Sequence, residues 1–154
     1  MKQLTESLPA PDFTLEMLDG RAFRLSEALA AAPIVLVFYK ASCPTCQFTF
    51  PYLQRIHAGG HPMMKIVAVS QDDNAETREF VERLGIGFDI LLDEHPFDVS
   101  MAYGVEYVPS IFIIRTDGAI QLSDYGFSKA TLSEIAKPLE LFRPDDGIPA
   151  TRPG

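Results

Sequence analysis

Tryptophan is absent from this chain of 154 residues, and cysteine is scarce, with 2 residues. Two cysteines cannot staple a scaffold that lacks a core, so a disulfide-rich module is excluded. Positive charge is also in short supply: 13 Lys+Arg stand against 21 Asp+Glu, for a formal charge of −8. Such a field repels phosphate backbones and anionic lipid surfaces, and no nucleic-acid partner is expected. Long apolar runs are missing too. The most apolar stretch free of charge, Ala28 to Tyr39, holds 12 residues and includes Pro33, and the longest, Ala41 to Gln54, holds 14 and includes Pro44 and Pro51; both are short of the roughly 20 that span a bilayer. No membrane segment is expected. The first 20 residues are interrupted by Glu6, Asp12, Glu16 and Asp19, unlike an export signal. The expected address is cytoplasmic if residue 1 is the natural start, and periplasmic or otherwise extracytoplasmic if a signal or anchor was removed. Neither a G-x-G-x-x-G nor a P-loop pattern occurs, and no cofactor is expected.

What is present suits one folded unit, since 47% of the residues are hydrophobic. Thr14 to Phe23, with Asp19-Gly20 inside it, reads as a hairpin, and Ser26 can cap a short Ala-rich helix that Pro33 ends. Ile34 to Tyr39 is a continuous apolar run, the pattern of a strand covered on both faces. A helix follows to about His57, ended by Gly59-Gly60. Lys65 to Ser70 is a second strand, Asn74 can cap a helix through Leu84, and Phe88 to Leu92 is a third strand. Phe97 to Tyr103 predicts a short helix. Ile111–Ile114 and Ala119–Leu122 flank Asp117-Gly118 as an antiparallel hairpin. Thr131 to Phe142 has an amphipathic helical period, with Leu132, Ile135, Ala136 and Leu139 on one face. The alternation of β and α predicts parallel strands with crossovers. Residues 1–142 are expected to form a single α/β domain and 143–154 a mobile tail.

Between the first buried strand and its helix lies Cys43-Pro44-Thr45-Cys46. Two thiols with two residues between them at a helix N-terminus can close a small disulfide ring, and the helix dipole favours the first as thiolate. Cys43 is the expected nucleophile and Cys46, one turn further in, the resolving thiol. Pro44 suits the first helical position, which needs no amide donor. Lys40 could add positive potential. Inert structural cysteines are one competing reading and a zinc site is another, because His57 and His61 complete C-x2-C-x10-H-x3-H. A helix from Cys46 to His57 would separate them by roughly 16 Å, too far to share an ion, so no metal is expected. His95, beside Pro96, is placed in a turn, and Asp72-Asp73 beside the positive end of the next helix.

At these residues the chain resembles the thioredoxin superfamily. Pro51, five residues after Cys46, falls where that superfamily carries a proline within the active-site helix. Gly104 to Ile114 (Gly-Val-Glu-Tyr-Val-Pro-Ser-Ile-Phe-Ile-Ile) followed by Asp117-Gly118 resembles its cis-proline loop, strand and turn. The resemblance implies that Pro109 is cis and that Val108 offers backbone groups to substrate, with Pro44 and Thr45 at the same groove. Ala10-Pro11-Asp12-Phe13-Thr14-Leu15 and Leu18-Asp19-Gly20 resemble the N-terminal extension of the redoxin and TlpA-like, AhpC/TSA-related branch. The 65 residues from Cys46 to Ser110 inclusive leave room for an extra strand and helix. The implied architecture is a thioredoxin-like fold: a central mixed sheet flanked by helices, with an N-terminal hairpin extension and that insertion.

Departures from the pattern define what is unusual. Ser42 stands where thioredoxins usually have tryptophan. Val37 takes the place of thioredoxin's buried aspartate, and Thr49 that of the glutamate common in TlpA-like proteins, so the acid that activates Cys46 is not identified; Asp72, Asp73 or a water are candidates. Peroxiredoxins share this branch, but aligning P-x-x-x-T-x-x-C on Cys46 puts Tyr39 at the proline and Cys43 at the threonine, and the peroxide-binding arginine falls near Pro109. Arg115 is close in sequence, but its strand position points it toward solvent. The expected function is thiol-disulfide exchange with protein disulfide or dithiol substrates and a further redox partner, by a monomer. A thiol peroxidase is the first alternative and a non-enzymatic binding module the second.

Overall fold

The computed structural model describes residues 2–59, 63–137 and 139–154. Its sheet has seven strands: β1 (Thr14–Met17), β2 (Ala22–Arg24), β3 (Ile34–Tyr39), β4 (Lys65–Ser70), β5 (Asp89–Leu92), β6 (Ser110–Ile114) and β7 (Ile120–Tyr125), in the order β2-β1-β5-β4-β3-β6-β7. Strands β3, β4 and β5 run parallel, while β6 joins β3 and β7 joins β6 antiparallel. The N-terminal hairpin is part of the same sheet, because β1 pairs antiparallel with β5. The mixed sheet is the thioredoxin-like architecture expected from the sequence.

β3 explains the layering. All six of its residues are buried, and successive side chains point to opposite faces. Val35, Val37 and Tyr39 face a core built with Phe50, Leu53 and Ile56 of α2 (Pro44–Ala58), Phe80 of α3 (Asn74–Leu84), and Leu132 and Ile135 of α5 (Lys129–Ala136). Ile34, Leu36 and Phe38 face the opposite core, with Leu25 and Leu29 of α1 (Leu25–Leu29) and Val99 and Tyr103 at α4 (Asp98–Ala102). Each fully buried apolar side chain stabilises the fold by roughly 1.5–3 kcal/mol, so this strand, with cores on both faces, fixes where its C-terminal end and the cysteine loop emerge.

Several helix boundaries differ from the pattern read in the sequence. Asp73, not Asn74, caps α3: its Oδ1 accepts the Glu76 N–H at 2.8 Å, and Gly85 ends that helix in the left-handed region at φ +65, where a side chain would be strained. Ser26 does not cap α1, whose preceding residue is Arg24; the Ser26 N–H instead reaches Asp12 Oδ1 at 2.9 Å. α5 begins at Lys129, capped by Ser128, and stops at Ala136 rather than Phe142. Lys137, at φ −53 and ψ 140, is extended, as a residue before proline prefers to be, and Pro138 follows it in the sequence.

Two segments flank the sheet. Residues 7–10 run beside β7, with the Ser7 N–H on the Ile120 carbonyl at 2.8 Å, the Ile120 N–H on Leu8 at 2.9 Å, and the Ala10 N–H on Gly118 at 2.9 Å. Residues 143–154 fold back across the domain. Lys129 Nζ binds Asp146 Oδ1 at 2.6 Å, and β9 (Thr151–Arg152) pairs antiparallel with β8 (Phe127–Ser128). Backbone pairing of this kind leaves no apolar period in a sequence, and so the segment read as tail-like.

Candidate active site

The cysteine loop leaves the buried end of β3, and α2 starts immediately after it. Cys43 is the N-cap of α2, with extended backbone (φ −80, ψ 117), and Pro44 takes the first helical position. Its sulfur accepts the Cys46 N–H at 3.3 Å, one of the donors that a helix start leaves unpaired. The Cys43 thiol in turn donates to the Val108 carbonyl at 3.4 Å. The loop is held from both sides, since Gln47 Nε2 donates to the Ala41 carbonyl at 2.8 Å and the Ala41 N–H to Asp72 Oδ2 at 2.7 Å.

The two cysteines are chemically unequal. Both are free thiols; Cys43 is partly exposed and Cys46 is buried. Burial pushes the Cys46 thiol well above its ordinary value of 9.0; a hydrogen bond to the Lys40 backbone opposes that rise, while Cys43 and Asp72 add to it. Tyr39 lies in the same core as Cys46, its ring 4.4 Å from that of Phe50. Its hydroxyl is buried without a well-formed hydrogen bond among the described residues. Asp72 acts electrostatically on Tyr39 and on Cys46, so of the two acids considered from sequence it is the one tied to the cysteine loop, whereas Asp73 caps α3. Thr49 is buried with its hydroxyl donated to the Thr45 carbonyl at 2.7 Å.

Sequence-distant residues close the site. The Val108–Pro109 bond is cis, and so is His95–Pro96, which no sequence feature signalled. Thr45 is buried and donates its hydroxyl to the Pro153 carbonyl. Phe48 packs edge-on against Phe127 at 4.9 Å, and the Arg152 guanidinium lies over the Phe48 ring at 4.7 Å. Phe48, Phe127 and Arg152 were not identifiable as site residues beforehand, because only the folded chain brings β8 and β9 to the start of α2. On the other side, Ser42 contributes to an open hollow of about 420 Å³ that Ala41, Ala75, Glu76, Glu79 and Arg83 also line.

Other candidates are spent elsewhere. The Lys40 ammonium lies 5.7 Å from the centre of the Phe97 ring. His57 sits at the far end of α2, edge-on to Phe88 at 5.9 Å; His61 and Gly60 lie outside the described residues. His95 is in a turn against Phe97. Arg115 is exposed and holds Asp117 at 3.0 Å in the turn between β6 and β7, so this arginine is not committed to Cys46 in the manner of a peroxidase. Among the described residues no group of three or more His, Cys, Asp or Glu is placed to bind a metal, and no helix is long and apolar enough to cross a membrane.

Comparison with known proteins agrees with this geometry. The profile of the AhpC/TSA family matches residues 7–123. The thiol-disulfide oxidoreductase ResA of Geobacillus thermodenitrificans is 30% identical over 137 residues, covering 88% of this chain and 76% of ResA. The thiol:disulfide interchange protein DsbE of Escherichia coli K12 is 27% identical over 135 residues, covering 85% of this chain and 71% of DsbE. In three dimensions, a putative thiol:disulfide interchange protein DsbE from Chlorobium tepidum superposes with a TM-score of 0.76 at 25% identity, covering 86% of this chain and 93% of that one. The chain belongs to the AhpC/TSA family, in the redoxin and TlpA-like branch of the thioredoxin superfamily.

Proposed function

We propose that this thioredoxin-fold thiol-disulfide oxidoreductase exchanges disulfides with protein substrates through Cys43 as the attacking thiolate and Cys46 as the resolving thiol. The carrying observation is the asymmetry of the pair: Cys43 lies partly exposed with the Cys46 N–H on its sulfur, and Cys46 is enclosed behind it. In the first step the Cys43 thiolate attacks a substrate disulfide, forming a mixed disulfide and releasing one substrate thiolate. Cys46, once deprotonated, then attacks Cys43 Sγ, closing the internal disulfide and releasing the second substrate thiolate. Two electrons pass to the substrate, and the reverse sequence oxidises a dithiol. Val108 and Pro109 border the attacking sulfur, Pro44 fixes the helix start, and Thr45 presents a hydroxyl to the same groove; we assign these four to substrate positioning.

Removing the resolving thiol tests the roles. A Cys46→Ser variant accumulates mixed disulfides through Cys43 when mixed with a disulfide-bonded protein, and Cys43→Ser accumulates none. Equal trapping by both variants refutes the assignment. Rapid turnover of hydrogen peroxide without reduction of a protein disulfide selects peroxidase chemistry instead, and inertness in both assays selects a binding module.

A further inference from the structure

We propose that residues 149–154 are an internal occupant of the groove beside Cys43, lying where an extended substrate segment lies, and that a disulfide substrate must displace them to reach the thiol. The inference rests on the exchange reaction assigned above and names the form in which its substrate is bound.

The contacts run continuously from β8 to the active sulfur. Thr151 and Arg152 pair antiparallel with Ser128 and Phe127. On one side of this ladder the Lys129 N–H donates to the Ala150 carbonyl at 2.8 Å. On the other, the Thr45 hydroxyl donates to the Pro153 carbonyl. Pro153 has no N–H to give to a ladder, which suits the point where the strand leaves β8. Gly154 then reaches the cis-proline loop: a Cβ on it would come within 2.5 Å of the Val108 carbonyl oxygen. That oxygen is the one the Cys43 thiol contacts at 3.4 Å. Gly126 makes room from below. Its φ is +75, and a Cβ there would meet the Arg152 carbonyl at 2.8 Å, so main chain can pass over main chain only because both residues lack side chains.

Residues 151–154 are exposed, and apart from Arg152 on Phe48 the groove holds them by backbone groups. Addition of a strand through main-chain hydrogen bonds is a recurrent way to bind extended peptides with little demand on sequence. The groove therefore suits a segment antiparallel to β8 that carries its carbonyl to Thr45 and its next residue to Val108 beside the sulfur. The chain's own segment meets that description, so substrate and strap compete for one place. A net hydrogen bond shifts an equilibrium about fivefold. The entropy regained when the strap lifts works against its closure, which leaves a closing bias on the order of tenfold.

The test uses Cys46→Ser as background, so that only the first exchange step is read. Mixed-disulfide formation with a disulfide-bonded peptide is timed for the full chain and for a chain ended after Ile148. The shortened chain should react on the order of tenfold faster, while alkylation of Cys43 by iodoacetamide, a reagent small enough to reach the partly exposed sulfur, changes less than about twofold. Equal peptide rates overturn the proposal alone; absence of a mixed disulfide in both chains overturns the exchange reading and the proposal with it. Gly154→Ala serves if the shortened chain does not fold, because its methyl collides with the Val108 carbonyl and should accelerate the peptide reaction in the same sense. In the full chain, the Arg152 amide, on the strap's own side of the ladder opposite Phe127, should lose protection from hydrogen exchange once Cys43 carries the peptide and the strap is displaced. Retained protection overturns the proposal.

Discussion

The reduced protein should lose stability in mild alkali through one thiol, and the size of the loss follows from where Cys46 sits. Its side chain has no exposed surface, and burial holds its thiol far above the ordinary value of 9.0. A group raised on folding contributes stability that is fully present below its unfolded value and is lost as pH rises toward the folded one. Each unit of pH above 9.0 therefore removes about 1.4 kcal/mol, because the unfolded chain ionises there and the folded chain does not. The perturbation is Cys46→Ala, which removes this ionisation and leaves Tyr39 and Tyr103, whose buried hydroxyls are also raised, common to both proteins. Urea denaturation of both proteins under reducing, oxygen-free conditions should give a stability difference that is constant between about pH 6 and 8 and then falls by about 1.4 kcal/mol by about pH 10, to the disadvantage of the wild type. Curves that stay parallel across that range refute the reasoning, since they require the Cys46 thiolate to be as well accommodated in the folded protein as in the unfolded one. The same penalty bears on catalysis. The resolving role proposed for Cys46 requires at neutral pH that its proton be removed as the attack proceeds, and Asp72 is the acid bound to the cysteine loop.

Two further outcomes concern the supports around the site. Asp93 is buried, and its carboxylate accepts the Val99 N–H at 3.3 Å, the Ser100 N–H at 2.8 Å and the Ser100 hydroxyl at 2.7 Å; Asp93→Ala strands these donors and should lower stability by about 2–4 kcal/mol, whereas a change under about 0.5 kcal/mol in urea denaturation contradicts it. The Lys129 ammonium, followed by the Arg143 and Ile148 amides, holds the Asp146 carboxyl at about 2 against its ordinary 3.8. Being depressed on folding, it supports the 143–148 segment above 3.8 and ceases to do so as pH falls through about 2. The Ile148 amide resonance should thus titrate with a midpoint near 2, and a midpoint at the ordinary carboxylate value contradicts the contact.

Where local chemistry decides structure, the sequence was readable. A run such as Ile34 to Tyr39 has few ways to satisfy six apolar side chains other than a strand between two layers, and Cys43-Pro44-Thr45-Cys46 after it locates the helix start and the cysteine pair together. Neighbouring alternatives with nearly equal chemistry were less readable: Asp73 and Asn74 are both good caps, and only backbone geometry chooses Asp73. The helix from residue 129 was overextended because an apolar period was followed through Pro138, whose effect on Lys137 outweighs the amphipathic pattern. What could not be read was long-range. The pairing of Phe127–Ser128 with Thr151–Arg152, the seat of Arg152 on Phe48, and the link from Asp72 to Ala41 each join segments whose meeting depends on the whole fold.

The segment at residues 7–10 bears on solubility. An outermost strand offers its unused amides and carbonyls to any passing chain, and proteins commonly blunt such borders to avoid piling up sheet upon sheet. Here β7 has its start covered by Ser7, Leu8 and Ala10, and at the opposite border β2 is 3 residues long. Neither border offers a long open ladder. A protein proposed to admit foreign strands beside Cys43 is thus closed to them along its flanks, so that self-association through the sheet is held in check while the cysteine loop stays within reach.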